Sequence, residues 1–312
     1  MRVLVTGGAG FIGSHVVEAY LEQGHEVVVL DDLSSGSLEY DRGRVECETV
    51  DVSDEGEVSR VFTSFRPEIV SHHAAQIDPR FSVEDPLHDE RINVGGTLNL
   101  LRASAEIGAR AFVFASSGGA VYGEQVQPAD ETTPKAPLSP YGAAKLAAET
   151  YLFVFRQTLG LKAVSLRYSN VYGPRQEGGV IPIFIRRMLA GEEIHIFGDG
   201  EQTRDFIHAS DAARANVLAT EHLLSGRLDG TSIDDLAFNI SSGTAISMND
   251  LYTRVAHETG YSLPAVHEGA KAGDIRDSVL SSAKAERVLG FRPAVPLDEG
   301  LRATIEWLSE RT

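Results

Sequence analysis

The stretch Arg2-Val3-Leu4-Val5-Thr6-Gly7-Gly8-Ala9-Gly10-Phe11-Ile12-Gly13-Ser14 decides how the rest of the chain is read. A short apolar run at 2–5 meets Gly7, Gly10 and Gly13, and a helical period follows over 11–23. In that setting the first glycine makes a tight turn and the second lets backbone approach a pyrophosphate. The third lets helix pack close on strand, and the helix N-terminus offers unpaired N–H groups and a positive dipole end. A lone glycine pattern would serve a plain strand-to-helix turn equally well. Here a second apolar run, 26–30, closes on Asp31 and Asp32, 18 residues after Gly13. Those carboxylates suit a ribose diol and would repel a 2′-phosphate, so the pattern points to NAD rather than NADP as cofactor.

Worked outward from this turn, β-rich runs at 2–5, 26–30, 45–50, 69–72, 111–115 and 163–167 alternate with helical periods at 11–23, 53–65, 91–107 and 141–159. The runs are almost wholly apolar, as strands covered on both faces by helices should be. Six such strands predict a Rossmann-like, doubly wound parallel sheet. Beyond about Tyr168 the rhythm breaks into Gly/Pro-punctuated segments with helices near 183–190, 211–224, 248–259, 282–289 and 297–309, and a strand-like AFNI at 237–240. This third of the chain reads as a smaller C-terminal α/β lobe over the sheet's carboxyl edge.

Composition narrows the partners. The 312 residues carry 28 Lys+Arg against 45 Asp+Glu, a net charge of −17, which repels nucleic acid and anionic lipid alike. At 42% hydrophobic and 23% charged residues the chain is not a disordered one. Its lone Cys47 excludes an intrachain disulfide framework and a cysteine zinc site, which fits a reducing cytosol. No stretch approaches 20 apolar residues and the N-terminal run meets glycines at once, so neither export by a signal peptide nor a membrane span is expected, and the expected location is cytoplasmic. An acidic chain that binds an anionic small molecule must concentrate its cationic groups locally.

Two further segments carry chemistry. Ser116 and Ser117 end the run 111–115, and Ser139-Pro140-Tyr141-Gly142-Ala143-Ala144-Lys145 opens a helix. Tyr141 and Lys145, four apart, share one helix face. A phenol near pKa 10 is a poor base at neutral pH, but a neighbouring ammonium and a positive nicotinamide ring would bring it towards the working range. Asp51 and Val52, after the third strand, have two readings: a lining of the adenine pocket, or, for Asp51, the cap of helix 53–65. His72 and His73 end a buried strand and are read as packing or hydrogen-bonding residues, so no metal is assigned. The stretch 176–179 is either a mobile lid or a plain loop.

The motifs TGGAGFIGSH, LDDLSSG, HHAAQ, NVGGTLNLL, SSGGAVYG, SPYGAAK, RYSNVYGPRQ, GDGEQTRDFIH, NISSG and KAERVLGF run through essentially the whole chain. Together they resemble the extended short-chain dehydrogenase/reductase superfamily and, within it, UDP-galactose 4-epimerase-like nucleotide-sugar epimerases. The resemblance implies that Tyr141 is the acid/base and that Lys145 binds the nicotinamide ribose. It assigns Asn93 and the Ala74-Ala75-Gln76 segment to the cofactor, with Gly7, Gly10, Phe11, Ile12, Gly13, Asp31 and Asp32 at the turn. Ser35, Gly36, Asp51, Val52, Ser116 and Tyr168 complete the cofactor set. Asn170 and Arg204 fall where the family contacts the nucleotide-sugar diphosphate, and Gly118, Val180, Ile196, Lys271, Asp274 and Arg276 join Ser117 and Tyr141 on the substrate side. Residues 1–170, with returning segments near 203–224 and 236–243, would form the NAD-binding domain, and 171–312 mainly the nucleotide-sugar lobe.

Three departures stand out. Gly118 and Ala120 replace hydroxyl positions of a common S-S-S-A-T-V-Y-G, which makes Ser117 the first choice for the catalytic hydroxyl and Ser116 the reserve. Lys271-Ala272-Gly273-Asp274 replaces R-P-G-D, trading a bidentate arginine for a point charge, with Arg276 near enough in sequence to substitute. Ser278 falls where some epimerases place a bulky aromatic, leaving room for a larger 2-substituent. The implied reaction is redox-neutral 4-epimerisation of a UDP-hexose through a 4-keto intermediate. Rivals are a 4,6-dehydratase, whose Asp-Glu dipeptide is replaced here by Gly119-Ala120, and a UDP-glucuronate 4-epimerase, which needs one more cation such as Arg186 or Arg187. Apolar faces on 91–107 and 141–159 (Leu98, Leu101; Leu146, Leu152, Phe153) imply a homodimer through a four-helix bundle, although core packing would also explain them.

Overall fold

The computed structural model describes residues 1–40, 43–124, 128–270 and 275–311. Seven parallel strands form one sheet: β1 (Arg2–Thr6), β2 (Glu26–Asp31), β3 (Glu46–Thr49), β4 (Ile69–His72), β5 (Ala111–Ser117), β6 (Ala163–Tyr168) and β7 (Ala237–Ile240), in the order β7-β6-β5-β4-β1-β2-β3. The chain reverses direction across the sheet between β1 and β4, the crevice where doubly wound folds hold ligands. The expected six strands become seven because AFNI adds to the edge beside β6, with Ile240 opposite Tyr168.

The pleat sorts the apolar residues to two faces. Val3, Val5, Val113 and Leu166 pack on one side with α1 (Phe11–Glu22). Leu4, Val70, Phe112 and Phe114 pack on the other with α2 (Glu55–Phe65), α3 (Thr97–Ile107) and α4 (Pro140–Leu159). Each fully buried Leu or Phe contributes about 1.5–3 kcal/mol, so both faces need covering. α4 starts where Ser139 accepts the Gly142 N–H at 3.2 Å with Pro140 in the first turn, and stops at Gly160 with φ +70°.

Three local departures have physical causes. The expected helix 91–107 begins as a wider π-type segment, Arg91–Gly96, before α3, and Gly96 lies so close to Val52 that an added Cβ would sit 2.6 Å from its Cγ2. β5 runs on to Ser117 because its pairing with β6 continues to Tyr168. Asp54, not Asp51, caps α2, accepting the Glu57 N–H at 3.0 Å, while Asp51 accepts from Ser53 at 2.8 Å. The capping reading of Asp51 is therefore corrected.

The C-terminal lobe has its own core, in which α5 (Val180–Leu189), α7 (Met248–Thr259) and α9 (Leu297–Ser309) bury Ile185, Met188, Leu251, Val255 and Leu301. α6 (Ala209–Leu224) packs its alanines on the α1 face, and α8 (Ala283–Leu289) packs against β7. Strand 203–204 lies between 246–247, antiparallel, and 277–278, parallel. Leu101 and Leu152, expected on a partner-facing surface, belong to the core at 0% and 3% exposure, whereas Leu98, Leu146 and Phe153 are half-buried. Among the described residues no helix is long and apolar enough to cross a membrane.

Candidate active site

The strand-to-helix turn is a cradle that side chains would fill. Gly7 adopts φ +65° and donates to Leu30 O at 2.8 Å, and a Cβ there would lie 2.5 Å from Ala74 N. A Cβ on Gly13 would lie 2.0 Å from Gly7 O, and one on Gly10 3.2 Å from the same atom. Gly10 caps α1 without any side-chain hydrogen bond, so the first turn, Phe11 and Ile12 included, keeps N–H groups for an anion.

Asp31 and Asp32 differ in kind. Asp31 is buried, accepts Ala9 N–H at 3.0 Å and Leu33 N–H at 2.9 Å, and has its carboxyl raised by burial against those two donors. Asp32 is exposed and accepts Ser34 N–H and Oγ at 3.0 and 2.6 Å, shaping its own loop. Ser35 is exposed, and Gly36 packs on Ala9, whose carbonyl accepts from Ser37. Across the crevice, Ala74 N–H donates to Thr6 Oγ1, and Asn93 exchanges bonds with the Gln76 main chain at 3.1 and 2.9 Å, with Ala75 between. The residues present fit a dinucleotide with a free ribose diol.

His72 bridges Thr6 Oγ1 (2.7 Å) and Thr97 Oγ1 (2.9 Å) through its two ring nitrogens. His73 bonds Ser71 and stacks on Tyr168, and burial pushes it down to about 3. Both imidazoles are uncharged core residues. The ring of Tyr168 is buried too, its hydroxyl accepting from Asn216 at 2.7 Å, so only its main chain at the end of β6 is left for a ligand.

The end of β5 and the start of α4 bring Ser117, Tyr141 and Lys145 together. Ser117 lies near enough to the Tyr141 phenol to act against the rise in its pKa. Lys145 Nζ donates to Ala115 O at 3.0 Å and lies 4.8 Å from the Phe114 ring centroid and 5.7 Å from that of Tyr141. Burial holds the Lys145 ammonium down to about 8, partly opposed by Asp89 and Glu149. Burial also pushes the Tyr141 phenol up to about 12, with Ser117 opposing and Asp89 assisting. The expectation of a lowered phenol is thus corrected for the protein's own groups: desolvation outweighs them. Ser116, the reserve hydroxyl, instead donates to Glu149 at 2.5 Å.

The glycines after Ser117 have packing reasons. A Cβ on Gly118 would meet Leu280 Cδ1 at 2.4 Å and one on Gly119 would meet Ser278 Oγ at 3.1 Å. Ser278 is therefore placed beside the catalytic strand end.

On the substrate side, Asn170 and Val180 line one cavity with Tyr172, Gln176 and Phe206. Ile196 has its side chain in the lobe core at 2% exposure. Arg204 donates to Thr203 O at 2.8 Å and Arg276 O at 3.2 Å, and Arg276 pairs with Asp199 at 3.1 Å, so these two arginines share one place. Lys271 and Asp274 lie outside the described residues. Arg186 and Arg187 pair with Glu177 and Glu192 on the surface, and the first pair ties loop 176–179 to α5.

Sequence reasoning missed several buried charges, among them Asp205, Asp89, Glu149 and Arg167. Asp205 accepts from Ser169, from both donors of Ser242, from Gly243 and from Leu280. Asp89 accepts from Gln76 at 2.8 Å and Asn93 at 2.9 Å. Glu149 and Arg167 form an ion pair of 2.6 Å at 0% side-chain exposure. Only the last pair left a signal, in the 141/145/149 spacing and in a charge inside the apolar run AVSLRY.

Known proteins share this architecture over its full length. The profile of the NAD dependent epimerase/dehydratase family matches residues 3–232. A UDP-glucose 4-epimerase of Mycolicibacterium smegmatis is 39% identical over 100% of both chains. Among solved structures, a UDP-glucose 4-epimerase with UDP-glucose from Thermotoga maritima superposes at TM-score 0.94 with 44% identity, covering 100% of this chain and 99% of that one. One from Thermus thermophilus, in complex with NAD, gives 0.91 and 42% over 100% of each. With its glycine cradle, Asp31 and the Ser117, Tyr141 and Lys145 cluster in that setting, the chain belongs to the NAD-dependent epimerase/dehydratase family.

Proposed function

We propose that the protein interconverts the C4 epimers of a UDP-hexose, UDP-glucose and UDP-galactose, with NAD held on the Gly7–Gly13 turn. The observation that carries the reading is the buried Lys145, 5.7 Å from the Tyr141 ring centroid and hydrogen-bonded to Ala115 O beside Ser116 and Ser117 at the carboxyl edge of the sheet. Bound NAD supplies a reversible hydride acceptor at C4, and its positive ring lowers the phenol that the protein alone leaves near 12. Tyr141 takes and returns the 4-hydroxyl proton, Ser117 shares that proton's oxygen, and Lys145 holds the nicotinamide ribose while adding positive charge. Asp31 takes the adenosine ribose, with Asp51, Val52 and Gly36 around the adenine side and Asn93 with Ala74 to Gln76 opposite.

Arg204 and Arg276, with Asn170 and Lys271, anchor the diphosphate, and Asp274 sits in the same segment as Lys271. Val180 lines the base end, where Ile196 could offer only its main chain, and Gly118 lies under the sugar. Strong binding at the diphosphate and loose binding at the ring let the 4-keto sugar turn over between its two faces. Ser278 leaves space that admits the N-acetyl sugars. We read 1–170 with 203–224 and 236–243 as the NAD-binding domain and 171–312 mainly as the substrate lobe. We further read the protein as a cytoplasmic homodimer joined through α3 and α4, by Leu98, Leu146 and Phe153 with the exposed Tyr151 and Val154.

The test is to incubate the protein with each UDP-sugar and no added reductant and to follow C4 inversion by NMR. Inversion without net NADH is expected. Loss of water to a 4-keto-6-deoxy product would replace the reading with a dehydratase.

A further inference from the structure

Three residues one helical turn apart on α4 grip three consecutive residues of β5. Tyr141 meets Ser117, Lys145 donates its proton to Ala115 O at 3.0 Å, and Glu149 accepts from Ser116 at 2.5 Å. Spacing of four puts all three on one face of the helix. The first two belong to the proposed chemistry. Glu149 does not, being 2% exposed with its carboxylate taken up by Ser116 and Arg167.

Glu149 is itself held. Arg167 Nε reaches Oε1 and Oε2 at 3.0 and 3.2 Å, and Nη2 reaches Oε2 at 2.6 Å, a two-pronged grip from β6. The guanidinium is fixed in turn by Tyr122, whose hydroxyl accepts from Nη1 at 2.8 Å and donates to Asn239 on β7 at 2.8 Å. One carboxylate therefore ties α4 to β5 and, through Arg167, to β6 and β7. A buried ion pair of this kind adds little stability over well-packed apolar residues, because desolving two charges cancels their attraction. What it does fix is direction, since a fork-on-carboxylate contact admits one arrangement.

We propose that Glu149, locked by Arg167, is a positioning residue of the epimerisation: through Ser116 it sets where the adjacent Ser117 hydroxyl stands relative to the Tyr141 phenol. The proposal rests on the reading of Tyr141 and Ser117 as the proton-handling pair. A displacement on the order of 1 Å at such a pair costs about 100-fold in rate while leaving ground-state binding alone.

The experiment uses the NAD-loaded protein and two variants. Ser116→Ala cuts the link to the strand and leaves the ion pair whole; Glu149→Gln with Arg167→Met removes both charges together, so neither is left buried alone. Both should lower kcat by about 10- to 100-fold with KM within about twofold. Built into Ser117→Ala, neither should lower kcat further by more than about twofold, because the hydroxyl they position is gone. A kcat within about twofold of the parent, or losses that multiply with that of Ser117→Ala, would overturn the proposal. Tyrosinate absorbance, read against Tyr141→Phe, gives a measure independent of turnover. A displaced Ser117 no longer stabilises the phenolate, so the titration should move to higher pH, and superimposable curves would also overturn the proposal. A parent that titrates normally but inverts no sugar would count against the proposed function alone.

Discussion

The two sides of the crevice are built on opposite principles. On the cofactor side, the turn from Thr6 to Gly13 is contiguous, its donors are main-chain N–H groups, and its shape depends on side chains that are missing. On the substrate side the geometry depends on a side chain that is present: Asp205, wholly buried, gathers donors from Ser169, Ser242, Gly243 and Leu280, segments 36 to 75 residues away. Eight consecutive residues make one wall; three distant segments meeting on one carboxylate make the other. Net charge follows the same division. On the proposed reading, a chain at −17 holds two anionic ligands because backbone dipoles meet one and Arg204, whose guanidinium lies against the Arg276 main chain, meets the other.

Breaking the seam between the walls should have the largest effect. Tyr141→Phe removes the proton acceptor and leaves the packing of the ring, so C4 inversion followed by NMR should fall by about 10²- to 10⁴-fold with NAD still bound. A variant retaining more than a tenth of the parent rate would place the acid/base elsewhere.

Next comes the junction itself. Asp205→Asn turns one acceptor oxygen into a donor facing donors, which should destabilise the protein by about 2–4 kcal/mol. Denaturant unfolding measures this, and Gly13→Ala serves as the contrast: it should abolish NAD binding, since the added Cβ has 2.0 Å to Gly7 O. If Asp205→Asn unfolds like the parent, the two walls are not built as differently as their contacts state.

Lys145 gives a prediction of opposite sign. Burial holds its ammonium down to about 8 against an ordinary value of 10.5. Between those values the unfolded chain carries a proton that the folded chain has released, so this group's contribution to stability rises with pH from about 8 to 10.5. Below about 8 the buried ammonium is a standing cost. Lys145→Met should therefore raise stability near neutral pH by about 1–3 kcal/mol, the gain shrinking as pH rises through that window, while activity is lost. A variant less stable than the parent at neutral pH would show that the bond to Ala115 O outweighs desolvation.

The same division explains what could be read from the chain alone. The sheet, the turn, and the Tyr141 and Lys145 pair were legible because each is a local pattern: an apolar run, three glycines, a spacing of four. Asp205 was not, because nothing within a few residues of it distinguishes a surface carboxylate from one that collects remote N–H groups. Leu101 and Leu152 stayed open between a partner-facing surface and the core for a related reason, since an apolar helix face looks alike whether it covers its own sheet or another subunit. The raised phenol of Tyr141 was also illegible: a neighbouring ammonium can be read from spacing, but depth of burial cannot.

The smallest effect separates two residues that sequence could not tell apart. Asp31 and Asp32 end the same strand, and either could hold a ribose diol. Asp31 is buried, and its bonds to Ala9 within the glycine turn and to Leu33 hold its carboxylate in a fixed position. Asp32 is exposed and spends its carboxylate on Ser34 in its own loop. Substituting Asn at each, and titrating NAD by calorimetry, should weaken binding about tenfold for Asp31 and less than about twofold for Asp32. Equal losses would mean that the ribose is recognised by the loop's net charge, and the cofactor wall would then share the long-range character of its partner.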